Sequence, residues 1–449
     1  MLLKLDLFSN KAYNIIVLLV RRISPVKVLF ISANTEPVNM PVIPLGLCGV
    51  ASYTHRSGHD VKLIDLMKPG IDESIIKKTI KDYAPEVIGV SIRNIDNQCS
   101  ENTLFMLDSV KEIISNCRSI TSSPIVLGGA GYSLFPESAL DFLDADFGIQ
   151  GEGEISFQEL LKYLENGEKP ENVGGLFIKN VGSYGKRFFS MDLDLTPLPS
   201  AHIIPEFYRD IEDIYMPIQS RRGCHLDCTY CSTATIEGKK TRKRSPEFVV
   251  DAIASYKEAG FSNFFFTDNT FNFPASYAAK LCEEIIKSGL NIKWRCIYYP
   301  VKSNIHLVKL MAEAGCTEVS LGFESGCDNL LHKMNKKFNT RDVIESSKIM
   351  KDEGITTMGF LLLGGPGETR ESVIQSLEFA ESLKLDATRI TTGIRIYPHT
   401  ALAKLAKDEG YISPEDDLLY PKFYIVKGLE DWLRQTVKEW AVDRPNWIV

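Results

Sequence analysis

From residue 26 to about residue 409, short apolar runs of strand length alternate with helical patterns, and this alternation most limits how the chain can fold. In the first half the apolar runs fall at 26–31, 61–64, 87–90, 125–127 and 147–149. Helical patterns lie near 45–57, 73–83, 101–117, 136–143 and 155–165, and Gly58 stands where a helix-ending glycine belongs. Five strands alternating with helices predict a parallel, doubly wound sheet, an α/β domain whose ligands bind beyond the carboxyl ends of its strands. After a stretch at 167–213 with little periodicity and a proline-rich end, the alternation resumes. Strands near 214–221, 262–267, 292–299, 317–323, 355–363 and 387–397 alternate with helices near 246–259, 274–288, 304–314, 340–353, 370–383 and 400–409. Six strand–helix units predict a partial (β/α)6 barrel with its site at the carboxyl ends of the strands. The expected division is an N-terminal extension at 1–25, a first domain at 26–166, a linker at 167–213, a second domain at 214–410 and a short helical tail at 411–449.

The loop after the first strand of the second half reads Gly223-Cys224-His225-Leu226-Asp227-Cys228-Thr229-Tyr230-Cys231. Three thiolates spaced C-x3-C-x2-C can turn toward one small object, and thiolates are the soft ligands that hold iron–sulfur clusters. A cubane has four irons, and this loop supplies three sulfurs, Cys224, Cys228 and Cys231, so one iron is left open to another ligand. Zinc would need a fourth ligand, commonly from a second separated pair, and the only nearby one is His225. A disulfide is the other alternative.

Composition sets the outer limits. A chain of 449 residues with 44% hydrophobic content can fill two or three cores. Its net charge of −7 gives no footprint for a nucleic-acid partner. Ten cysteines in this length do not make a disulfide framework; the seven outside the loop read as small buried apolar residues, and the chain as a protein of a reducing cytoplasm. The apolar run at 13–20 is too short to span a bilayer, and its charges, Arg21 and Arg22, follow it where a signal peptide's would precede it. It is expected to be a packed extension or a small amphipathic helix.

The cysteine spacing, with the aromatic Tyr230 before the third cysteine, resembles the signature of the radical S-adenosylmethionine (SAM) superfamily. That resemblance implies a [4Fe-4S] cluster whose open iron is chelated by SAM, with an electron donor such as flavodoxin or ferredoxin. Several strand ends of the second half fit it. Glu324 and Ser325 lie in Gly-Phe-Glu-Ser-Gly, which resembles the fourth-strand motif whose carboxylate and hydroxyl contact SAM. Gly365, in Gly-Gly-Pro-Gly-Glu, resembles the glycine-proline turn near adenine. Asp268 and Asn269 close the second strand, where the family often has a Gly-Gly-Glu stretch; these glycines are missing, so that role is implied by position alone. Arg244, at the end of a basic run after the cluster loop, is a candidate for the SAM carboxylate, although such runs are usually solvated. Tyr397 and His399 precede the last barrel helix and are the catalytic candidates, either facing substrate or capping that helix.

The first half resembles the cobalamin-binding domain that precedes many radical SAM modules, through Pro44-Leu45-Gly46-Leu47, the turn at 58–61, Leu127-Gly128-Gly129 and Gln150-Gly151-Glu152-Gly153-Glu154. By that resemblance Ser91, Gly128 and Gly129 line the pocket for the nucleotide tail of cobalamin. No Asp-x-His-x-x-Gly occurs, so no histidine of that motif can ligate cobalt from below. Arg93, at the end of the third strand, is the candidate for the residue over that face, or else pairs with Asp96 or a helix carboxylate.

Together these resemblances imply a cobalamin-dependent radical SAM enzyme. The expected reaction is methyl transfer from SAM, through methylcobalamin, to an unreactive carbon of a small molecule, lipid or peptide. The alternatives are a cobalamin-assisted cyclisation or rearrangement, and a radical SAM enzyme whose front domain is a scaffold without cobalamin. The Ser-x-Arg-Asn-x-Asp stretch at 91–96 is also similar to the tryptophan 2-C-methyltransferase branch, which forms no free radical. The sequence names no substrate and no oligomeric state.

Overall fold

A computed structural model describes residues 25–36, 41–302 and 304–449, apart from the side chain of Tyr184. The segment expected at 13–20 lies outside the described residues. The first sheet opens with β1 (Lys27–Ser32), β2 (Asp60–Asp65), β3 (Val87–Ser91), β4 (Ile125–Gly128) and β5 (Phe147–Ile149), all parallel, in the order β2-β1-β3-β4-β5. β1 is buried from its second residue onward, as an interior strand of a sheet covered on both faces must be. Helices Leu45–Arg56, Glu73–Tyr83, Leu107–Arg118, Pro136–Leu143 and Gly153–Asn166 connect or follow these strands. The strand order reverses between β1 and β3, which places the ligand crevice of such a sheet at their carboxyl ends.

Several details differ from the sequence expectation. Part of the stretch at 167–213 is not a free linker: β6 (Leu176–Ile178) and β7 (Gly182–Tyr184) add antiparallel to β5 and extend the first sheet to seven strands. The third helix starts at Leu107 rather than 101, because the preceding residues fold back on themselves. There Asn97 accepts from the Leu104 amide at 3.1 Å and donates to the Asn102 carbonyl at 2.7 Å. Finally, not all seven other cysteines are buried: Cys99, in this same loop, is exposed and Cys327 is half-buried.

The second half begins with β8 (Tyr215–Ile218). A two-stranded antiparallel ribbon, β9 (Arg221–Arg222) and β10 (Arg242–Lys243), brackets the cysteine loop. The main strands follow as β11 (Asn263–Phe266), β12 (Lys293–Tyr298), β13 (Cys316–Glu324), β14 (Thr356–Leu363) and β15 (Ala387–Thr392). A short ribbon, β16 (Ile394–Arg395) with β17 (Phe423–Tyr424), leads into the tail. The last strand, β18 (Trp447–Ile448), pairs parallel to β15, so the open sheet reads β18-β15-β14-β13-β12-β11-β8 and carries one strand more than the six expected. Some helix starts are written in the sequence. Ser245 caps Pro246–Glu258, and Asn339 with Asp342 forms a capping box at Thr340–Asp352.

The modules are not separate bodies. The apolar core of the first sheet runs on into Ile394, Ile396 and Leu402 of the second half. The loop after β3 also clamps across: buried Asp96 pairs with buried Arg395 at 2.8 Å, and the Ser100 hydroxyl donates to the Thr392 carbonyl at 2.6 Å.

Candidate functional site

The carboxyl ends of β1, β3 and β4 open into a cavity with an empty volume of about 1030 Å³. Its floor is Phe30, Gly89, Ser91 and Gly128, its wall the start of helix Leu45–Arg56, and its far side Gln219, Arg222, Ile236 and Glu237 of the second module. The glycines make this room. A Cβ on Gly46 would meet nothing within 4 Å, and one on Gly128 only the Ile149 carbonyl at 4.0 Å, so either would project into the cavity. Gly129 does different work. At φ +100° its missing Cβ lets the chain cross against the backbone of Ile92. Ser91, Gly128 and Gly129 therefore all border this space. Arg93 does not. It sits in a smaller cleft with Asn34 and Thr35, over the ends of β1 and β3, and its side chain is exposed. Its alternative partner Asp96 is occupied by Arg395.

Beside the cavity, the cysteine loop is folded by its own backbone. The Cys224 amide donates to the Gly238 carbonyl at 3.1 Å, the Cys231 amide to Cys228 at 3.2 Å and the Thr229 amide to Met334 at 3.2 Å. Gly223 has φ +88°, and a Cβ there would strike the Lys240 carbonyl. Burial pushes the Cys224 thiol up to about 11, and the neighbouring thiols of Cys231 and Cys228 add to the rise. Among the described residues no three Cys, His, Asp or Glu side chains converge as they would around a single ion. A cubane takes one thiolate per iron, so its ligands stand apart, and a donor set of three thiols fits it. His225 stacks on Phe273 at 5.0 Å and faces Thr241, which gives it a role in packing the loop.

The strand ends around this loop divide into two groups. Glu324 ends β13 in a left-handed backbone conformation, φ +60°, next to a register shift between Gly322 and Glu324. Strain of this kind in a non-glycine residue persists only where the surroundings fix it. Its carboxylate pairs at 3.0 Å with Lys336, whose Nζ also donates to the Tyr230 hydroxyl at 2.9 Å. Although burial works against the charged form, Glu324 and then Tyr230 hold the Lys336 ammonium well above the usual lysine range. Lys336 belongs to no motif read in the sequence; its signal is a lysine twelve residues past the fourth-strand carboxylate. Asn269 points at Glu237, donating to its carboxylate at 2.7 Å.

The second group turns away. Both Asp268 oxygens are taken by Ser220 and Arg221 behind the loop. The Ser325 hydroxyl faces Ser376 at 3.1 Å and accepts from the Cys327 amide. Arg244 is 2% exposed, and its Nε and Nη1 donate to the carbonyls of Gln219, Leu193 and Thr196, so it ties down the linker; of the basic run Arg242 and Arg244 are buried, while Lys239, Lys240 and Lys243 are exposed. Gly365 packs against Ile394 and Met334, and its amide donates to Glu368 at 3.0 Å.

Of the catalytic candidates, Tyr397 is packed under the Arg395 guanidinium at 5.1 Å and near Phe135. Burial and then the charge of Asp96 push its phenol up, and it stands within electrostatic reach of Cys231. His399 is exposed at the turn, while Thr400 caps helix Ala401–Asp408.

Residues 31–161 match the B12 binding domain family, and residues 218–380 match the radical SAM superfamily. An uncharacterised methyltransferase of Pyrococcus horikoshii is 29% identical over 85% of this chain and 83% of its own length. The cytidylyl-2-hydroxyethylphosphonate methyltransferase of Streptomyces wedmorensis is 25% identical over 89% of this chain and 84% of its own. The radical SAM methyltransferase TsrM of Kitasatospora setae, solved with cobalamin and a [4Fe-4S] cluster, superposes with a TM-score of 0.83 at 19% identity, covering 94% of this chain and 90% of that one. No helix among the described residues is long and apolar enough to cross a membrane. With a B12 binding domain in front of a radical SAM domain, the chain belongs to the cobalamin-dependent branch of the radical SAM enzymes.

Proposed function

We propose that this enzyme is a C-methyltransferase that takes the methyl group of SAM and delivers it to a carbon of a small molecule, lipid or peptide. One observation carries the reading: a single cavity is floored by the strand ends of the B12 domain and walled by Gln219, Arg222 and Glu237, which flank the cysteine loop. A corrin held there and a cluster held by Cys224, Cys228 and Cys231 would face one chamber. When bound, the corrin supplies a methyl carrier and the cluster supplies electrons.

This chain's own residues would do the rest. Gly46 and Gly128 leave room for the nucleotide tail, with Ser91 and Gly129 beside it. Arg93, in the neighbouring cleft over β1 and β3, would act on the metal only where a bound corrin reaches over that cleft, and a cation there would disfavour a lower metal ligand. Lys336 and Glu324 offer opposite charges to the ammonium and carboxylate of SAM, next to Tyr230. Asn269 adds an amide on the other flank, and Gly365 closes the adenine side by shape. Asp268 and Ser325 act behind these groups, holding Arg221 and the turn after β13. Tyr397, packed under Arg395 and within electrostatic reach of Cys231, is the phenol proposed to bond a substrate.

The test needs no substrate. Anaerobic protein is loaded with cobalamin, reduced and given SAM, and the nucleoside products are separated by mass spectrometry. The reading predicts S-adenosylhomocysteine in proportion to bound corrin, lost on omitting cobalamin. Formation of 5′-deoxyadenosine without corrin-dependent S-adenosylhomocysteine would overturn it in favour of a rearrangement or cyclisation.

A further inference from the structure

The Gln-Gly-Glu-Gly-Glu stretch at 150–154 enters the family resemblance only as a motif, yet both of its carboxylates reach across to the other module. Their targets are Arg222 and Arg242, which lie directly opposite each other on the β9–β10 ribbon that brackets the cysteine loop. Two like charges side by side on a ribbon repel, so that ribbon is stable only where something matches them. Glu154 binds the Arg222 guanidinium at 2.5 Å. Glu152 binds Arg242 with one oxygen, and its other oxygen accepts from the Ser190 amide at 3.0 Å and lies 3.7 Å from Arg222. The four side chains are between 2% and 12% exposed.

The link continues toward the cluster loop. The Arg222 Nε donates to Gln219 at 2.9 Å, Gln219 donates to Glu237 at 2.8 Å, and Glu237 accepts from the Gly223 amide at 3.0 Å, one residue before Cys224. Arg242 also donates to the Glu237 carbonyl at 2.7 Å. An unbroken set of hydrogen bonds thus runs from the first turn of helix Gly153–Asn166 to the first residue of the cysteine loop. Burying four charges at a contact that apolar side chains could close as firmly costs desolvation. What ionic pairs add over apolar packing is a single register.

We propose that Glu152 and Glu154 are positioning residues: through Arg222 and Arg242 they fix the cysteine loop against the corrin cavity and so set the separation of the two cofactors. The inference rests on the proposed occupancy of that cavity, and its test separates the two. Single neutralisation leaves a buried charge unmatched, so the informative protein is the double variant E154Q/R222M, compared with wild type.

In cofactor-free protein, amide exchange of peptides spanning 218–224 should rise at least tenfold in the double variant, while peptides of β1 and β3 stay protected. In loaded protein that retains both cofactors, the magnetic coupling between the paramagnetic cluster and cob(II)alamin should weaken. Corrin-dependent S-adenosylhomocysteine formation should fall by about tenfold or more, as small misplacements of reacting groups do. Unchanged exchange and coupling in the double variant overturns the inference. Should that variant not fold, wild-type cofactor-free protein decides: rapid exchange at 218–224 beside a protected 150–158 contradicts the coupling, and equal protection supports it. Absence of corrin from wild type would instead remove the proposed function and leave the exchange result standing.

Discussion

Lys336 shows how a residue without a motif can matter as much as one with it. Its side chain is 5% exposed and its ammonium lies between Glu324 and Tyr230, so removing it leaves a largely desolvated carboxylate unmatched. K336M is expected to lower the melting temperature and weaken SAM binding by tenfold or more in equilibrium dialysis, and K336M/E324Q to recover the melting temperature without recovering binding. Glu368 offers a separate test. It is 3% exposed, one carboxylate oxygen has no hydrogen-bond partner among the described residues, and burial raises its pKa to about 7 although the Gly364 and Gly365 amides oppose the rise. A carboxyl with a raised folded pKa binds more protons folded than unfolded, so it lowers stability as pH climbs from about 4.5 to 7. E368Q keeps an oxygen for the two amides and should flatten the melting temperature over that window, by up to about 3 kcal/mol in stability at its upper end. An unaltered pH profile would contradict this. The three cysteines and Glu324 could be read because a motif fixes their spacing. Lys336, Arg222 and Glu237 could not, since each is defined by a partner distant in sequence or by a fold-back that spacing does not reveal.

The elements divide in the same way. The five front strands and β11–β14 lie on the segments where the alternating pattern puts them, and β15 begins where expected but ends at Thr392, with Ile394–Arg395 pairing separately with β17. β18 has two residues and β9 has two, too few for any period, and both exist because a neighbouring edge accepts them. The hairpin β6–β7 belongs to the first sheet through a pairing with β5 that local sequence does not state. β18 is nevertheless anchored. Trp447 is buried and stacks on Trp440 at 6.1 Å, with Arg444 over both rings. W447A is expected to cost about 3 kcal/mol, seen as a lower thermal midpoint, with iron content unchanged because the strand lies at the edge of the sheet opposite β8. Loss of the cluster in W447A would show that the tail also shapes the loop.

At the scale of the whole molecule, the two modules meet through several polar clasps, among them Glu152 and Glu154 with the β9–β10 ribbon, Asp96 with Arg395, and Glu101 with Arg434 and Lys438. Between them lies the chamber on which the proposed chemistry depends. The sequence indicated both modules and their order, but not the chamber, because its walls come from loops whose contact is tertiary. The most direct measurement is the iron, sulfide and corrin content of protein reconstituted without oxygen, with C224A/C228A/C231A alongside. The account predicts about four irons and four sulfides per chain together with bound corrin, and loss of the iron and sulfide but not the corrin in the triple variant. Zinc in place of iron, or a cluster without corrin, would contradict it.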